Sequence, residues 1–209
     1  MKLGVAIPYY KNSEESEMLF KKLMDQIEYQ IVGSILLYIY EDGQVSDWLS
    51  LYRHKDNIFI ESCILNKGVA YARNKCINYL KDKVDYILFI DSDDRLSDNY
   101  LSIMLDYCNS GYDIIESAFN YKGHIFEFKP LVKRGGMTGS AFKTSMIGSL
   151  QFDEHLQVGE DTKFMDDILD FSKHRKLYCK DAIYYYNYGY NPNSLIVRFK
   201  RNEISKERC

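Results

Sequence analysis

The chain has 209 residues, a formal net charge of −3, a pI near 5.8, and five widely spaced cysteines that form no C-x-x-C pair. This length predicts one domain with a substantial core, and the weakly acidic balance argues against a nucleic-acid scaffold held by phosphate neutralisation. The cysteines predict free thiols in a reducing cytosol instead of a disulfide framework or a zinc site. Because the longest apolar stretch, Ile31 to Tyr40, is too short to span a bilayer, we expect a cytoplasmic protein with no integral membrane segment.

Strands and helices alternate through the first half of the chain. A strand-like run from Lys2 to Ile7 leads into a loop at Pro8, and Ser13 followed by acidic residues is typical of a helix start. The predicted elements are strands at 2–7, 34–40, 58–60 and 84–90 and helices at 13–30 and 68–81. This alternation predicts a parallel, right-handed α/β sheet.

The second half does not repeat the first. Its predicted elements are helices at 97–108 and from 159 to about 171, strands at 113–118 and 176–188, and a hairpin at 121–128 that turns at Lys122-Gly123. We interpret the basic, glycine-containing segment Lys129 to Gly136 as a solvated surface loop, with a loop over an anionic ligand as the alternative. The basic tail from Arg198 is expected to be frayed, or else to touch anionic lipid or another chain.

The strand at 84–90 ends in the most informative stretch, because Asp91, Asp93 and Asp94 follow it directly. In open α/β sheets, ligands bind outside the carboxyl ends of the strands. An Asp-x-Asp pattern suits Mg²⁺ or Mn²⁺, which takes one or two carboxylates and completes its shell with phosphate oxygens and water. The alternative is an acidic turn that caps the helix beginning near Ser97. Glu41-Asp42-Gly43 places further acids at the end of an earlier strand.

Arg73 lies near the centre of an apolar helical stripe and therefore needs a partner. A buried arginine is rarely unpaired, and its planar fork grips carboxylates and phosphates. The partner is predicted to be either Asp91 or Asp42 in a salt bridge, or the diphosphate or base end of a nucleotide. The stripe consists of Val69, Ala72, Cys76, Ile77 and Leu80.

Two acids open the helix that begins near Gly159. Helical spacing places Asp161 on the same face as Phe164 and Ile168, with Glu160 at the margin of that face. Acids at a helix N-terminus are favoured by the macrodipole, which is one explanation. An acid directed inward is also a candidate general base, so the catalytic alternative stays open.

Taken in order, these segments resemble the family 2 glycosyltransferases, which are inverting, nucleotide-sugar-dependent enzymes with the GT-A fold. The resemblance spans roughly residues 3 to 171. It implies an α/β fold of GT-A type, a Rossmann-like sandwich with a mostly parallel central sheet, helices on both faces and a small antiparallel element in the C-terminal half. The matching segments are Val5-Ala-Ile-Pro-Tyr-Tyr10, Glu41-Asp-Gly43, Asn66-x-Gly68 with Ala72-Arg-Asn74, Phe89-Ile-Asp-Ser-Asp-Asp94, and Phe152-Asp-Glu154 with Gly159-Glu-Asp161.

On the donor side, the resemblance implies a nucleotide-sugar donor, with a UDP-sugar expected. Pro8 and Tyr10 would border the nucleobase, Tyr10 by stacking on it, and Asp42 would accept a hydrogen bond from a uracil N–H. Arg73 would hold the base or phosphate side of the pocket. The loop at Asn66 and Gly68 would complete the nucleotide site.

On the reaction side, the resemblance implies a Mn²⁺ or Mg²⁺ cofactor held by Asp93 and Asp91, with Asp91 also near the ribose. Asp161 would be the general base that takes the proton of the acceptor hydroxyl, with Glu160 beside it. No third protein ligand stands out, although His155 and His174 are candidates. Glu41 replaces the first Asp of the family's usual pair, so Asp42 is the expected base contact.

The resemblance also implies a domain plan and leaves two rivals. We expect a single hexosyltransferase-like domain over 1–209, with a nucleotide-binding half (1–95), an acceptor-side half (96–190) and a tail (191–209). A catalytically inactive domain that binds a nucleotide sugar or glycan is the first rival. A sugar-nucleotide nucleotidyltransferase is the second, although the loop after the first strand lacks the expected glycines. The acceptor, whether glycan, lipid-linked, protein or nucleic acid, and the oligomeric state are not predicted.

Overall fold

The computed structural model describes residues 1–126, 137–168, 174–187 and 194–207. Its strands are β1 (Leu3–Tyr9), β2 (Ile35–Asp42), β3 (Ile58–Cys63), β4 (Tyr86–Phe89), β5 (Arg95–Leu96), β6 (Ile114–Tyr121), β7 (His124–Phe126), β8 (Ser140–Lys143) and β9 (Lys176–Tyr186). Its α-helices are α1 (Glu14–Ile27), α2 (Val69–Leu80), α3 (Tyr100–Cys108), α4 (Thr144–Ile147), α5 (Glu160–Ile168) and α6 (Leu195–Lys200). The predictions for 129–136, for the helix end near 171 and for Tyr188 lie outside the described residues.

The described strands form one mixed sheet in the order β3-β2-β1-β4-β8-β6-β9-β5, with β7 paired to β6. The first four of these, β3, β2, β1 and β4, run parallel, as the alternating pattern predicts. Beyond β4 the sheet is mixed, because β8 is antiparallel to both β4 and β6 while β6 and β9 are parallel. The antiparallel element expected in the C-terminal half is therefore present, and it is inserted into the sheet itself.

Helices cover both faces of the sheet. On one face, α1 shares a hydrophobic cluster with alternate residues of β1 and β2, including Leu3, Val5 and Leu37, and α3 packs against β6 and β9. On the other face, α2 and α5 pack around Ala6 and Phe89. Strands buried on both faces must be apolar nearly throughout, which explains the continuous hydrophobic runs of β1 and β4. None of the helices in the described part of the chain combines the length and apolar character that a bilayer crossing requires.

Several element boundaries follow from local hydrogen bonds. Ser13 caps α1 in a reciprocal capping box with Ser16, as expected for a helix start. The predicted helix at 97–108 begins later, at Tyr100, because Arg95–Leu96 pairs with β9 and the Ser97 Oγ accepts from the Ile183 backbone N–H. The hairpin turns where it was predicted, with positive φ at both Lys122 and Gly123.

Candidate functional site

Two adjoining cavities open at the carboxyl ends of the parallel strands, where the sequence predicts a ligand site. The first, of about 320 Å³, is lined by Asp91, Asp93 and Asp161 and is called the acidic cavity. The second, of about 300 Å³, contains Asp42 and is called the Asp42 cavity. They share a wall, which consists of Pro8, Tyr10, Asn12, Val69, Gln157 and Leu195. The structure therefore brings the predicted site residues to one continuous cleft.

Asp42 organises the loop at the start of α2. Its carboxylate accepts hydrogen bonds from the backbone N–H of Lys67, at 2.8 and 3.0 Å, and of Gly68, at 2.7 Å. Gly68 has φ +96°, in the region that favours glycine, which lets its N–H turn toward the acid. Asp42 is only 2% exposed. Asp42 also lines the cavity named after it, and its role as a base contact stays a prediction.

Tyr10 lines the Asp42 cavity, and its ring packs closely against Gly43. A Cβ at Gly43 would stand 2.9 Å from the Tyr10 ring and 3.0 Å from the Asn66 Cβ, and the backbone there has φ +89°. Only glycine satisfies both constraints. Tyr10 remains 44% exposed and Asn66 is also exposed, so both present atoms to the cavity. Pro8, Tyr10 and Asn66 therefore line one cavity, and the contact of Pro8 and Tyr10 with a nucleobase stays a prediction.

Arg73 is buried at 5% exposure, as the helical pattern requires, and it joins two acids. Its Nη2 donates to Asp91 Oδ1 at 2.9 Å and its Nη1 donates to Glu160 Oε1 at 2.5 Å. Burial alone would lower the pKa of Arg73, but the charges of Asp91, Glu160 and Asp161 raise it, so the guanidinium stays protonated. The salt bridge to Asp91 is confirmed, whereas that to Asp42 is replaced by one to Glu160.

The three acids of the motif differ in burial. All three line the acidic cavity, but Asp91 and Asp93 are partly exposed whereas Asp94 is only 1% exposed. Asp94 accepts hydrogen bonds from the Tyr184 hydroxyl at 2.5 Å and from the Asn187 backbone N–H at 2.7 Å. Burial, followed by the charges of Asp93 and Asp91, raises the pKa of Asp94 well above its ordinary value. Asp94 thus ties the motif to the end of β9.

The two acids of α5 are arranged in the reverse of the predicted order. Glu160 is the buried one, at 7% exposure, while Asp161 is partly exposed and lines the acidic cavity. Glu160 precedes Phe164 and Ile168 by four and eight residues, so it shares their inward face. There its carboxylate accepts a hydrogen bond from Arg73. Burial raises the pKa of Glu160, as does the charge of Asp161, and Arg73 opposes both. The expectation that Asp161 points inward and Glu160 lies at the margin is wrong.

The donor set of the acidic cavity fits a divalent ion that also binds phosphate. In the described part of the chain, no three His, Cys, Asp or Glu side chains come together as a ready-made metal site. Asp91 and Asp93 nevertheless suffice for Mg²⁺, which is commonly bound by one or two carboxylates together with substrate phosphates and water. Neither His155 nor His174, the candidate third ligands, lines this cavity.

The C-terminal segment contributes residues that the sequence pattern does not identify. Leu195 lines both cavities and Arg198 lines the Asp42 cavity, so α6 lies over the cleft. Residues 206 and 207 hold it there: the Gln157 backbone N–H donates to the Lys206 carbonyl at 2.9 Å, and Leu156 bridges to Glu207. The described tail is therefore docked, and the prediction that it is frayed is wrong. Tyr186 and Asn187, at the end of β9, complete the acidic cavity.

Comparisons with known proteins agree with this geometry. The model of the family described as Glycosyl transferase family 2 matches residues 5–186. No protein in a search of the curated proteins gives a significant match. The matched range includes residues that line the cleft, among them Tyr10, Asp42, Arg73, Asp93 and Asp161.

Solved structures of S. aureus TarS share the fold. TarS 1–349 gives a TM-score of 0.71 at 19% identity, over 88% of this chain and 60% of that one. TarS 1–349 in complex with UDP gives 0.71 at 21% identity over 89% and 60%, and the complex with UDP-GlcNAc gives 0.71 at 18% over 89% and 58%. The chain thus spans about 60% of the length of these structures. The predicted GT-A-type α/β fold is confirmed.

Proposed function

Because the model of glycosyl transferase family 2 matches residues 5–186, the chain belongs to that family, and we propose that it moves one sugar from a UDP-linked donor to an acceptor hydroxyl with inversion. The observation that carries this proposal is the convergence of Asp91, Asp93 and Asp161 on one cavity that is continuous with the Asp42 cavity. A cytoplasmic location stays a prediction from the cysteine pattern.

The Asp42 cavity is the proposed site of the nucleobase. Asp42 lines this cavity and would accept a hydrogen bond from a uracil N–H, and Tyr10 offers an aromatic face at the cavity wall. Two TarS structures with the same fold are complexes with UDP and with UDP-GlcNAc, which supports a uridine nucleotide here. Arg198 supplies a positive charge to this cavity from α6. Arg73 lines the acidic cavity instead and is paired with two carboxylates, so we assign it to shaping that cavity and not to binding phosphate.

The acidic cavity is the proposed site of the diphosphate and of Mn²⁺ or Mg²⁺. Asp93 and Asp91 would hold the ion, and the partly exposed carboxylate of each lines the cavity. When bound, the ion would neutralise negative charge that accumulates on the departing diphosphate. Asp94 is not assigned this role, because it is only 1% exposed and its two oxygens accept hydrogen bonds from Tyr184 and Asn187.

Asp161 is the proposed general base. It lines the acidic cavity at the N-terminus of α5, and its Oδ1 accepts a hydrogen bond from the Thr162 backbone N–H at 2.7 Å, which orients the carboxylate. In the proposed step, Asp161 takes the hydroxyl proton of the acceptor as the acceptor oxygen bonds to the anomeric carbon. The bond from that carbon to the diphosphate oxygen breaks, and UDP leaves from the opposite face. One displacement inverts the configuration.

A donor panel tests the proposal directly. The purified chain is incubated with UDP-, GDP-, ADP- and dTDP-linked sugars, with mixed glycan and lipid-linked acceptors, and nucleoside diphosphate release is measured. The proposal expects release from one or more UDP-sugars that increases when an acceptor is added. Release from none of the UDP-sugars, or release from another nucleotide class alone, would contradict it.

A further inference from the structure

We propose that Glu160 is a positioning residue which, by holding Arg73, fixes the base Asp161 relative to the donor-side acid Asp91. This inference rests on the proposed function, because it assigns to Asp161 the base role described above. It separates two neighbouring acids that the sequence pattern alone does not distinguish.

Glu160 lines the acidic cavity beside Asp161, but its contacts argue against a direct part in the chemistry. Its carboxylate is buried on the Arg73 side of α5, with Oε1 at 2.5 Å from Nη1. Arg73 is itself only 5% exposed, with its Cζ 5.6 Å from the centre of the Phe152 ring. A general base must reach the proton that it removes. Glu160 is already committed to an enclosed partner, so it acts on the reaction through Arg73.

Arg73 is a rigid link between two elements that carry reacting groups. Its two terminal nitrogens hold acids from different parts of the chain, Asp91 after β4 and Glu160 at the first turn of α5. A guanidinium is planar, so these two bonds fix the spacing of their acceptors. The residue after Glu160 is Asp161. The distance between the base and the donor-side acid is therefore set by this bridge.

The Asp91 end of the bridge is anchored independently. The Asp91 backbone N–H donates to the Tyr184 hydroxyl at 3.0 Å, and that hydroxyl donates to Asp94. The Asn187 side chain donates to the Asp93 carbonyl at 2.8 Å. The acidic motif is consequently fixed to β9, whereas the first turn of α5 follows Gly159, which has φ +85°. Glu160 provides the ionic contact that ties this turn to the motif.

Kinetics of Glu160→Gln test the inference. Because misplacing a reacting group by ~1 Å can cost about 100-fold, we expect kcat for transfer to fall about 10- to 100-fold. The dissociation constant of UDP, measured by calorimetry, should stay at the wild-type value, since Glu160 does not line the Asp42 cavity and its carboxylate in the acidic cavity is bound to Arg73. Glu160→Asp keeps the charge and should recover part of kcat. Asp167→Asn is the control, because Asp167 pairs with Lys163 on the exposed side of the same helix.

A double-mutant cycle separates positioning from simple stabilisation. Arg73→Lys keeps the positive charge but loses the planar guanidinium that binds both carboxylates at once. If Glu160 acts through Arg73, the losses in kcat per folded enzyme for Glu160→Gln and Arg73→Lys should be strongly non-additive. Additive losses, unchanged kcat in Glu160→Gln, or a matching loss of UDP affinity would overturn the inference. Melting temperatures correct each rate for the folded fraction.

A crystal structure of the variant tests the positioning role of Glu160 independently of whether the protein transfers a sugar. In crystals of Glu160→Gln soaked with UDP, the Asp161 carboxylate should move away from Asp91 relative to the wild type. An unmoved carboxylate overturns the positioning role even if the wild type turns over no donor. Conversely, if Asp161→Asn were active, Asp161 would not be the base. A displacement of α5 in Glu160→Gln could still be measured in that case.

Discussion

The Tyr184 hydroxyl stands 2.5 Å from Asp94 Oδ2 and also accepts the backbone N–H of Asp91, so one fully buried phenol anchors the acidic motif at both ends. The ring lies parallel to that of Phe119, at 6.1 Å between centroids and 4° between planes, which holds it in place. The end of β9 therefore determines where the carboxyl end of β4 places its acids.

Tyr184→Phe should destabilise the protein by about 1–3 kcal/mol, because it leaves the buried Asp94 with an unpaired oxygen and removes the acceptor of Asp91 N–H. Urea unfolding measures the loss. The matched control is Tyr185→Phe at the next residue, whose ring contacts Arg95 through its face. Equal stability of the two variants would contradict the anchoring role of Tyr184.

Gly43→Ala should weaken UDP binding about 10-fold or more, which corresponds to about 1.4 kcal/mol. The added Cβ would stand 2.9 Å from the Tyr10 ring, so the ring must leave the cavity wall. Gly111→Ala is the control, since Gly111 also has positive φ, +75°, but nothing lies within 4 Å of its added Cβ. Both variants carry backbone strain, but calorimetry should detect an affinity loss in Gly43→Ala alone. A loss in both would attribute the effect to strain.

Arg198→Ala should raise the KM for the donor and leave kcat near the wild-type value, because it removes a positive charge from the Asp42 cavity without altering Asp161. Arg201→Ala is the matched control. Both arginines lie near Glu203, at 3.7 and 3.8 Å, but Arg201 is exposed and lines neither cavity. An unchanged KM in Arg198→Ala would mean that α6 covers the cleft without contacting the donor.

Chelation by EDTA should abolish transfer, and added Mn²⁺ or Mg²⁺ should restore it, because Asp91 and Asp93 alone would not neutralise a departing diphosphate. Asp93→Ala should abolish transfer even at high metal concentration. Sugar transfer assays with and without chelator measure both effects. Activity that resists EDTA, or persists fully in Asp93→Ala, would remove the metal from the proposed mechanism.

Local patterns were sufficient to predict the parallel half of the fold. The periodicity of α2 identified Arg73 as a buried charge, and the carboxyl ends of β2 and β4 located Asp42 and Asp91 at one edge of the sheet. These features depend on helical or strand period and on the common direction of parallel strands, which are properties of short segments.

Features set by distant pairing could not be predicted in the same way. The insertion of β8 between β4 and β6 joins residues far apart in sequence, and its register is absent from the local pattern. The reversed orientation of Glu160 and Asp161 has a similar origin, because both lie close to the inward face in the helical pattern and only the position of Arg73 decides which one is buried. The docking of α6 depends on contacts of Lys206 and Glu207 with residues 156–158.

Asp161→Asn is the most direct test of the central claim that Asp161 is the base. The substitution keeps the shape of the side chain and removes its ability to accept a proton at neutral pH. The account predicts that kcat for transfer falls about 10²–10⁴-fold, while UDP binding by calorimetry and the melting temperature stay at their wild-type values. Transfer at the wild-type rate in Asp161→Asn would contradict it.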